Sequence, residues 1–252
     1  MNLDGRVVVI TGAGRGIGRE YARAVAAEGA AVMIAELDAS AGDETAQLVR
    51  DEGGTALAIT TDVTDETSVA GMAEVAAREL GGIDALVNNA AIWGGLRPAP
   101  MTDVTLDEWT RVMAVNVTGV WLTSRAVVPY LVERGGGTIV NQSSIGAYLG
   151  GPNVTHYATS KGAVNALTRA MARDLGSHDI RVNAIAPGQI ANEATLGLVS
   201  PQRLESMTAQ QCLKRAGSSD DLCGPLLFLL SDAARWMTGQ VLVVDGGLVF
   251  VG

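Results

Sequence analysis

Residues that build metal sites are scarce in this sequence. Among its 252 residues there are two cysteines, Cys212 and Cys223, and two histidines, His156 and His178. The cysteine spacing fits no metal motif, and two histidines are too few for a multi-histidine metal site. Two ordinary thiols in a reducing compartment are the simplest interpretation of the cysteines. The sequence therefore predicts no bound metal.

Basic residues and long hydrophobic runs are scarce too. The chain has 18 lysines and arginines against 27 aspartates and glutamates, a formal net charge of -9. Binding to nucleic-acid phosphates needs a basic surface, so we expect no nucleic-acid partner. No apolar run reaches the ~18 residues of a membrane span, and the first residues lack the pattern of a signal peptide. We expect a cytoplasmic protein with no membrane partner.

Proline is also rare, whereas glycine is abundant. There are 7 prolines and 31 glycines, and hydrophobic residues make up 48% of the chain. This composition excludes proline-rich linkers and allows a full hydrophobic core, with many tight turns and close backbone approaches. The length fits one large α/β domain or two small ones.

Strand-like and helix-like segments alternate along the whole chain. Short apolar runs without polar alternation are typical of strands in a sheet that is covered on both faces. They lie at 7–10, 31–35, 56–61, 85–87, 138–141, 181–186 and 240–244. Because helical patterns separate them, we expect parallel strands with right-handed crossovers. The sequence predicts a single α/β domain over 1–252, a Rossmann-type doubly wound seven-stranded parallel sheet with helices on both faces.

Two long segments interrupt this alternation. Residues 93–103 form a loop rich in glycine and proline, and 189–214 form a polar insert before the last helix. Both follow carboxyl ends of strands, where open sheets of this kind bind ligands. We interpret 189–214 as a substrate loop or lid.

A glycine-rich stretch, residues 11–18, joins the first strand to the first helix. Its spacing is G-x-x-x-G-x-G through Gly12, Gly16 and Gly18. Glycines at the amino end of a helix let backbone amides approach a pyrophosphate. A turn with packing roles alone is the alternative.

Glu36 ends the second strand, about 20 residues beyond the glycines, where a carboxylate can accept ribose hydroxyls and repel a 2′-phosphate. This favours NAD over NADP, although a solvated strand end is the alternative for Glu36. Arg15 favours NADP instead, because a cation beside the glycines can pair with the 2′-phosphate of that cofactor.

Tyr157 and Lys161 are four residues apart, so they share one face of a predicted helix. A free phenol has a pKa near 10, and a neighbouring ammonium lowers it, which makes a tyrosine a general acid and base. Ser144 follows the fifth strand and can donate a hydrogen bond to a carbonyl oxygen. Two surface residues of a helix are the alternative for Tyr157 and Lys161 alone.

Taken together, these motifs resemble the classical short-chain dehydrogenase/reductase family over essentially the whole chain. Asn88-Asn89-Ala90-Ala91 is similar to the family's Asn-Asn-Ala-Gly motif, with Ala91 in place of glycine. The other matching segments are 11–18, Asp62-Val63, Pro187-Gly188 and Asp245-Gly246-Gly247. Asn116, Ser144, Tyr157 and Lys161 fall where the family has its catalytic tetrad.

The resemblance implies a role for each tetrad member. Tyr157 transfers a proton to or from the substrate oxygen, and Ser144 orients and polarises the substrate carbonyl or alcohol. Lys161 binds the nicotinamide ribose and lowers the tyrosine pKa, and Asn116 holds a water for proton relay. Asn192 stands where the family often has a threonine that bonds the carboxamide. The implied cofactor contacts are Gly12, Arg15, Gly16, Ile17, Glu36, Asp62, Val63, Asn89, Ala90, Tyr157, Lys161, Pro187, Gly188 and Ile190.

The candidate substrate contacts are largely apolar, whereas His156 is interpreted as packing. They are Trp93, Leu96, Ile145, Tyr148, Leu149, Leu196, Leu198 and Met207. We expect hydride transfer between NAD(H) and a hydrophobic secondary alcohol or ketone. The alternatives are an NADP-dependent reductase of 3-oxoacyl thioesters on acyl carrier protein and, from another class, a dinucleotide-sensing protein without turnover. The family implies a homotetramer, in which the apolar tail 248–252 packs against a neighbouring subunit.

Overall fold

The structure, a computed structural model, describes residues 1–251, and Gly252 of the predicted tail lies outside them. Seven strands form one sheet in the order β3-β2-β1-β4-β5-β6-β7, and each neighbouring pair is parallel. They are β1 Val7–Thr11, β2 Ala31–Glu36, β3 Thr55–Thr60, β4 Ala85–Asn88, β5 Gly137–Gln142, β6 Ile180–Pro187 and β7 Val241–Val244. The predicted doubly wound parallel sheet is confirmed, and no strand end differs from the predicted one by more than one residue.

Helices cover both faces of this sheet. They are α1 Gly16–Ala27, α2 Ala39–Asp51, α3 Glu66–Leu80, α4 Leu106–Met113, α5 Gly119–Glu133, α6 Gly146–Leu149, α7 Thr155–Leu175, α8 Glu193–Leu196, α9 Pro201–Gln210 and α10 Cys223–Leu230. Within residues 1–251, no helix combines the length and the apolar character needed to cross a lipid bilayer.

The two faces of the sheet build two separate apolar cores. Successive side chains of a strand point to opposite faces. In β1, Val8 and Ile10 accordingly pack with α1, α2 and α10, whereas Val9 packs with α3, α5 and α7. All three valine and isoleucine side chains are fully buried. This explains why the strands are continuous apolar runs.

Local capping fixes where several helices begin and end. Asp65 accepts a hydrogen bond from the Ser68 backbone at the start of α3, and Gly81 ends that helix in the left-handed region at φ 87°. At α4, Thr105 and Glu108 form a capping box in which each side chain accepts from the other's backbone N–H.

Two predicted segments differ from the structure. The 189–214 insert contains two helices, α8 and α9, which its polar composition concealed. The signal for α9 is Ser200, which caps the helix, followed by Pro201 at its first position. The helix predicted from Leu106 is broken by a π-helical turn, Ala114–Thr118, between α4 and α5.

The strand order reverses between β1 and β4, which pair with each other while their outer neighbours lie on opposite sides. Open α/β sheets bind ligands at such a switch point, outside the carboxyl ends of the strands. Here the carboxyl ends of β1, β2, β4, β5 and β6 open into a cleft of about 1140 Å³. This cleft holds the candidate site.

Candidate active site

The glycine turn after β1 packs so closely against the end of β4 that two of its glycines have no room for a side chain. Gly12 has φ 63°, and a Cβ there would lie 2.7 Å from the Cα of Ala90. At Gly18 a Cβ would lie 2.6 Å from the Nδ2 atom of Asn89 and would also collide with the Gly12 carbonyl. Only hydrogen fits at these two positions. The result is an open cradle at the amino end of α1, which suits a pyrophosphate.

Asn89 and Thr11 tie this cradle to the end of β4. The Asn89 amide donates to the Gly12 carbonyl at 2.8 Å and to the Thr11 carbonyl at 3.1 Å. The Thr11 hydroxyl in turn accepts from the backbone N–H groups of Asn89 and Ala90. These bonds hold the carboxyl ends of β1 and β4 in a fixed relation across the switch point.

Glu36 lies at the end of β2 with its carboxylate lining the cleft. One oxygen accepts from the Gly14 N–H at 2.8 Å, and the other accepts from the N–H groups of Leu37 and Asp38. Arg15 forms an ion pair with Asp38 at 2.7 Å. The structure therefore fixes the anion in place, whereas the cation beside the glycines already has a partner.

Ser144, Tyr157 and Lys161 meet at the carboxyl end of β5. Tyr157 and Lys161 lie on α7, whereas Ser144 lies two residues past β5. A Cβ at Gly146 would lie 3.3 Å from Ser144 Oγ and 3.4 Å from Tyr157 Cε1, so hydroxyl and ring flank the same point. The Lys161 Nζ atom is 5.6 Å from the centre of the Tyr157 ring.

Burial dominates the protonation of this group. It raises the pKa of Tyr157 to about 12, and Ser144 acts in the opposite direction. Burial also lowers the pKa of Lys161 to about 8. The Lys161 Nζ atom donates to the Gln142 carbonyl at 2.7 Å, and the lowering of the phenol pKa by its ammonium stays a prediction. Loss of hydration, which disfavours the phenolate, is the largest cause of the raised pKa of Tyr157.

Asn116 lies behind the cleft and is fully buried in the π-helical turn. Its Oδ1 atom accepts from the Ile92 N–H at 2.7 Å, and its Nδ2 donates to the Ile92 carbonyl at 3.2 Å. The same Nδ2 donates to the Ser160 hydroxyl, which donates to the Tyr157 carbonyl. Asn116 thus clamps the segment after β4 to α7, a contact that sequence spacing does not reveal.

The predicted cofactor residues all line the one cleft. They are Gly12, Arg15, Gly16, Ile17, Glu36, Asp62, Val63, Asn89, Ala90, Tyr157, Lys161, Pro187, Gly188 and Ile190. The glycine cradle, the carboxylate at the end of β2 and an extended cleft fit a nicotinamide dinucleotide. Gly188 is a further close approach, since a Cβ there would lie 2.6 Å from the Cα of Asp245.

The predicted substrate contacts are divided by the structure. Trp93, Ile145, Leu149, Leu198 and Met207 line the cleft, whereas Leu96, Tyr148 and Leu196 do not. His156 is buried, in agreement with a packing role.

Several cleft residues are absent from the sequence prediction. Thr195 and Val199 line the cleft from the 189–214 insert, and Arg111 lines it from α4. The available signal for α8 was Asn192, whose side chain accepts from the Thr195 N–H at 3.0 Å as an N-cap. Arg203 and Met207 are one turn apart on α9 and both face the cleft.

Comparison with known proteins places this geometry in a family. A family model described as "Enoyl-(Acyl carrier protein) reductase" matches residues 12–249. An uncharacterized oxidoreductase of Mycobacterium tuberculosis is 45% identical, and the alignment covers 98% of this chain and 98% of the relative. The 7alpha-hydroxysteroid dehydrogenase of Escherichia coli is 38% identical, with 98% of this chain and 95% of the relative covered. The cis-4-hydroxycyclohexanecarboxylate dehydrogenase of Sinomonas cyclohexanicum is 40% identical, with coverages of 98% and 97%.

Solved structures agree with the sequence relatives. A 7 alpha-hydroxysteroid dehydrogenase complexed with NADH and 7-oxo glycochenodeoxycholic acid superposes with a TM-score of 0.94, at 38% identity, and covers 98% of this chain and 95% of that one. This chain belongs to the classical short-chain dehydrogenase/reductase family. A second solved structure, a putative NAD(P) dependent gluconate 5-dehydrogenase from Beutenbergia cavernae with NADP bound at low occupancy, gives a TM-score of 0.92 at 39% identity, with 98% of each chain covered.

Membership in the short-chain dehydrogenase/reductase family sets the class of reaction. The chain is an NAD(P)-dependent oxidoreductase that acts on hydroxyl or keto groups. Hydride transfer at the substrate carbon is the chemistry that NAD(P) supplies when bound.

Proposed function

We propose that this enzyme is an NAD-dependent dehydrogenase of a hydrophobic secondary alcohol, and that it also reduces the corresponding ketone. The observation that carries the proposal is the Tyr157 phenol beside the Ser144 hydroxyl and the Lys161 ammonium, with apolar side chains around them. Trp93, Ile145, Leu198 and Met207 supply that apolar lining. Two relatives carry names that state ring-borne hydroxyl groups, a 7alpha-hydroxysteroid and a cis-4-hydroxycyclohexanecarboxylate, which supports a cyclic alcohol.

In the proposed mechanism, Tyr157 moves the proton. Its hydroxyl gives a proton to the carbonyl oxygen during reduction and takes one from the alcohol during oxidation. The Ser144 hydroxyl donates a hydrogen bond to the same oxygen and fixes its position. Neutral phenol is the stable form here, since burial raises its pKa to about 12, so the site is poised to donate a proton.

Lys161 and Asn116 support that proton transfer. The Lys161 ammonium holds the ribose of the cofactor and stabilises the phenolate, while the Gln142 carbonyl orients it. Asn116 holds Ile92 against Ser160 of α7 and bonds a water that relays protons to Lys161. The glycine cradle and Glu36 bind the pyrophosphate and the adenosine ribose.

The pH dependence of the two directions is expected to differ. Alcohol oxidation needs the phenolate of Tyr157, whose share rises about tenfold per pH unit below the pKa. We expect log(kcat/KM) for alcohol oxidation to rise with pH between pH 6 and 8, whereas ketone reduction stays level or falls. Initial rates in both directions across this range check it. An oxidation rate that falls as pH rises would contradict the assignment of the base.

Glu36 is proposed to set the preference for NAD. Replacement of Glu36 with alanine removes the carboxylate that repels a 2′-phosphate, so relative use of NADP should rise by about tenfold or more. Glu36→Gln is the matched variant, since it keeps an acceptor for the Gly14 N–H and removes only the charge. The ratio of kcat/KM values for NAD and NADP measures both. If neither variant changes that ratio, another group sets the preference.

A second function has its own support. The matching family model is described in terms of acyl carrier protein, and Arg15 provides a cation near the glycines. These favour an NADP-dependent reductase of 3-oxoacyl thioesters. Cofactor titration separates the two proposals, because at least tenfold tighter binding of NADPH than NADH would favour the thioester reductase.

The test of the leading proposal is a substrate panel with NAD and NADP measured side by side. It contains open-chain and cyclic secondary alcohols and a 3-oxoacyl thioester. It also contains cis-4-hydroxycyclohexanecarboxylate, whose carboxylate tests whether the Arg203 cation in the cleft binds an anionic substrate. Turnover of neutral cyclic alcohols with NAD supports the proposal. Tight binding of NAD without turnover of any panel member would instead indicate a dinucleotide-sensing protein.

Three further expectations remain proposals. Residues 1–252 form one domain, with 189–214 as its substrate lid. The enzyme acts in the cytoplasm on a small-molecule substrate. It assembles as a homotetramer, a proposal supported by the apolar chain end, where Phe250 is 83% exposed in the single subunit.

A further inference from the structure

Trp93 has no part in the proton transfer proposed above, yet it contacts the proton donor. It lies five residues beyond the end of β4 and lines the cleft. Its indole ring packs against the phenol ring of Tyr157, with ring centres 4.5 Å apart and planes inclined by 44°. Aromatic pairs at this separation attract each other and favour a defined orientation. Trp93 therefore covers one side of the ring that carries the reactive hydroxyl.

The same indole reaches the lid. Its Nε1 atom donates a long hydrogen bond, 3.4 Å, to the hydroxyl of Thr195 in α8. The next residue makes a second contact, since a Cβ at Gly94 would lie 3.2 Å from the Cβ of Ala194. Thr195 is buried, although its neighbours in α8 are exposed. Two consecutive residues of the 93–103 loop thus pack against two consecutive residues of α8.

The loop that carries Trp93 is firmly held. The buried Asn116 side chain bonds both the N–H and the carbonyl of Ile92, the residue directly before Trp93. Further along, the Ala99 N–H donates to the Asn153 carbonyl at 3.0 Å, and Leu96 is buried. Because the segment is held on both sides of Trp93, the indole keeps its position in the cleft, and moving it would break these bonds.

We propose that Trp93 is a specificity-determining residue of this enzyme, which limits the bulk beside the reacting carbon of the substrate and holds α8 against the site. The substrates that fit are slim secondary alcohols, open-chain or with a single ring, like the one in the name of the cis-4-hydroxycyclohexanecarboxylate dehydrogenase. Fused rings, like those of the hydroxysteroid in the other relative's name, would meet the indole, so the size limit separates this enzyme from that relative. This inference rests on the proposed function, in which the reacting oxygen lies at Tyr157. It adds a size limit and a contact that keeps the lid in place.

Two alcohols of the same chemistry test the size limit, cyclohexanol and trans-decahydro-1-naphthol. The measured quantity is the ratio of their kcat/KM values with NAD. In Trp93→Ala this ratio should shift toward the fused-ring alcohol by about tenfold or more, since pocket volume discriminates by such factors. Trp236→Ala is the matched control, because Trp236 is 98% exposed and does not line the cleft. It should leave the ratio unchanged.

Two further variants test the contact with the lid. Trp93→Phe keeps an aromatic ring beside Tyr157 and removes the donor, and Thr195→Val removes the hydroxyl while keeping the shape. Hydrogen exchange at the backbone amides of residues 195–199 measures how firmly α8 is held. Exchange there should rise about three- to tenfold in both variants and in Trp93→Ala, since local opening becomes easier. Neither Trp93→Phe nor Thr195→Val should shift the substrate ratio as far as Trp93→Ala does.

The outcomes separate this inference from the function on which it rests. An unchanged ratio in an active Trp93→Ala enzyme, or unchanged exchange in all three variants, would overturn the role of Trp93. If Trp93→Ala does not fold, Trp93→Leu takes its place in both measurements. A wild-type enzyme that turns over neither alcohol would overturn the proposed function instead, and the exchange measurement would still decide whether Trp93 holds the lid.

Discussion

Turnover in Tyr157→Phe is expected to fall by about 10²–10⁴-fold or more, the range assigned to acid–base catalysis. The variant keeps the ring that packs against Trp93 and loses only the hydroxyl, so cofactor binding and thermal stability should change little. Since Ser144 and Lys161 remain in place, any residual activity reports what orientation alone contributes. Steady-state kcat and the dissociation constant for NADH are the measurements.

Tyr130→Phe is the matched control for this substitution. Tyr130 lies on α5, is half-buried against the apolar core and does not line the cleft. Loss of the Tyr130 hydroxyl should leave kcat within a factor of about two of the wild-type value, since substitutions outside the core and away from the active site have small effects. Near-normal turnover in Tyr157→Phe would remove the phenol from the reaction and with it the proposed mechanism.

The second large effect is expected from a single methyl group in the cradle. In Gly18→Ala the new Cβ would collide with the Gly12 carbonyl and lie 2.6 Å from the Asn89 amide nitrogen. Neither neighbour can move easily, because Asn89 bonds the carbonyls of Thr11 and Gly12. The cradle should therefore distort, and affinity for NADH should fall by about 100-fold or more, equivalent to roughly 3 kcal/mol.

Gly71→Ala provides the control within the same protein. Gly71 is also inside a helix, α3, but a Cβ there meets no atom within 4 Å. Alanine stabilises a helix interior by roughly 0.5–1 kcal/mol relative to glycine, so this variant should melt slightly higher and bind NADH normally. Titration of both variants with NADH, alongside thermal unfolding, makes the comparison. Equal affinity in the two would show that the cradle does not bind the cofactor.

The sheet was predictable because its signals are local. Each buried strand is a short apolar run, and the chain's glycines and polar turns separate these runs cleanly. The cradle was predictable for the same reason, since Gly12, Gly16 and Gly18 are close in sequence. The spacing of Tyr157 and Lys161 on one helix face is local as well, and the structure places both in the cleft.

The parts that sequence reasoning missed depend on contacts between distant segments. Nothing near Lys161 in the sequence indicates that the Gln142 carbonyl accepts a hydrogen bond from its ammonium, or that burial raises the pKa of Tyr157. The packing of Trp93 on Tyr157 joins two segments far apart in the chain. Helices α8 and α9 were hidden because a mostly exposed helix shows little apolar periodicity.

The most direct test of the account is a crystal structure of the enzyme with NADH and a cyclohexanone-type ketone. The proposed mechanism predicts that the ketone oxygen lies within about 3.2 Å of both Tyr157 Oη and Ser144 Oγ, the reach of a hydrogen bond. A ketone oxygen bonded to some other side chain, with Tyr157 Oη directed away from it, would contradict the central claim.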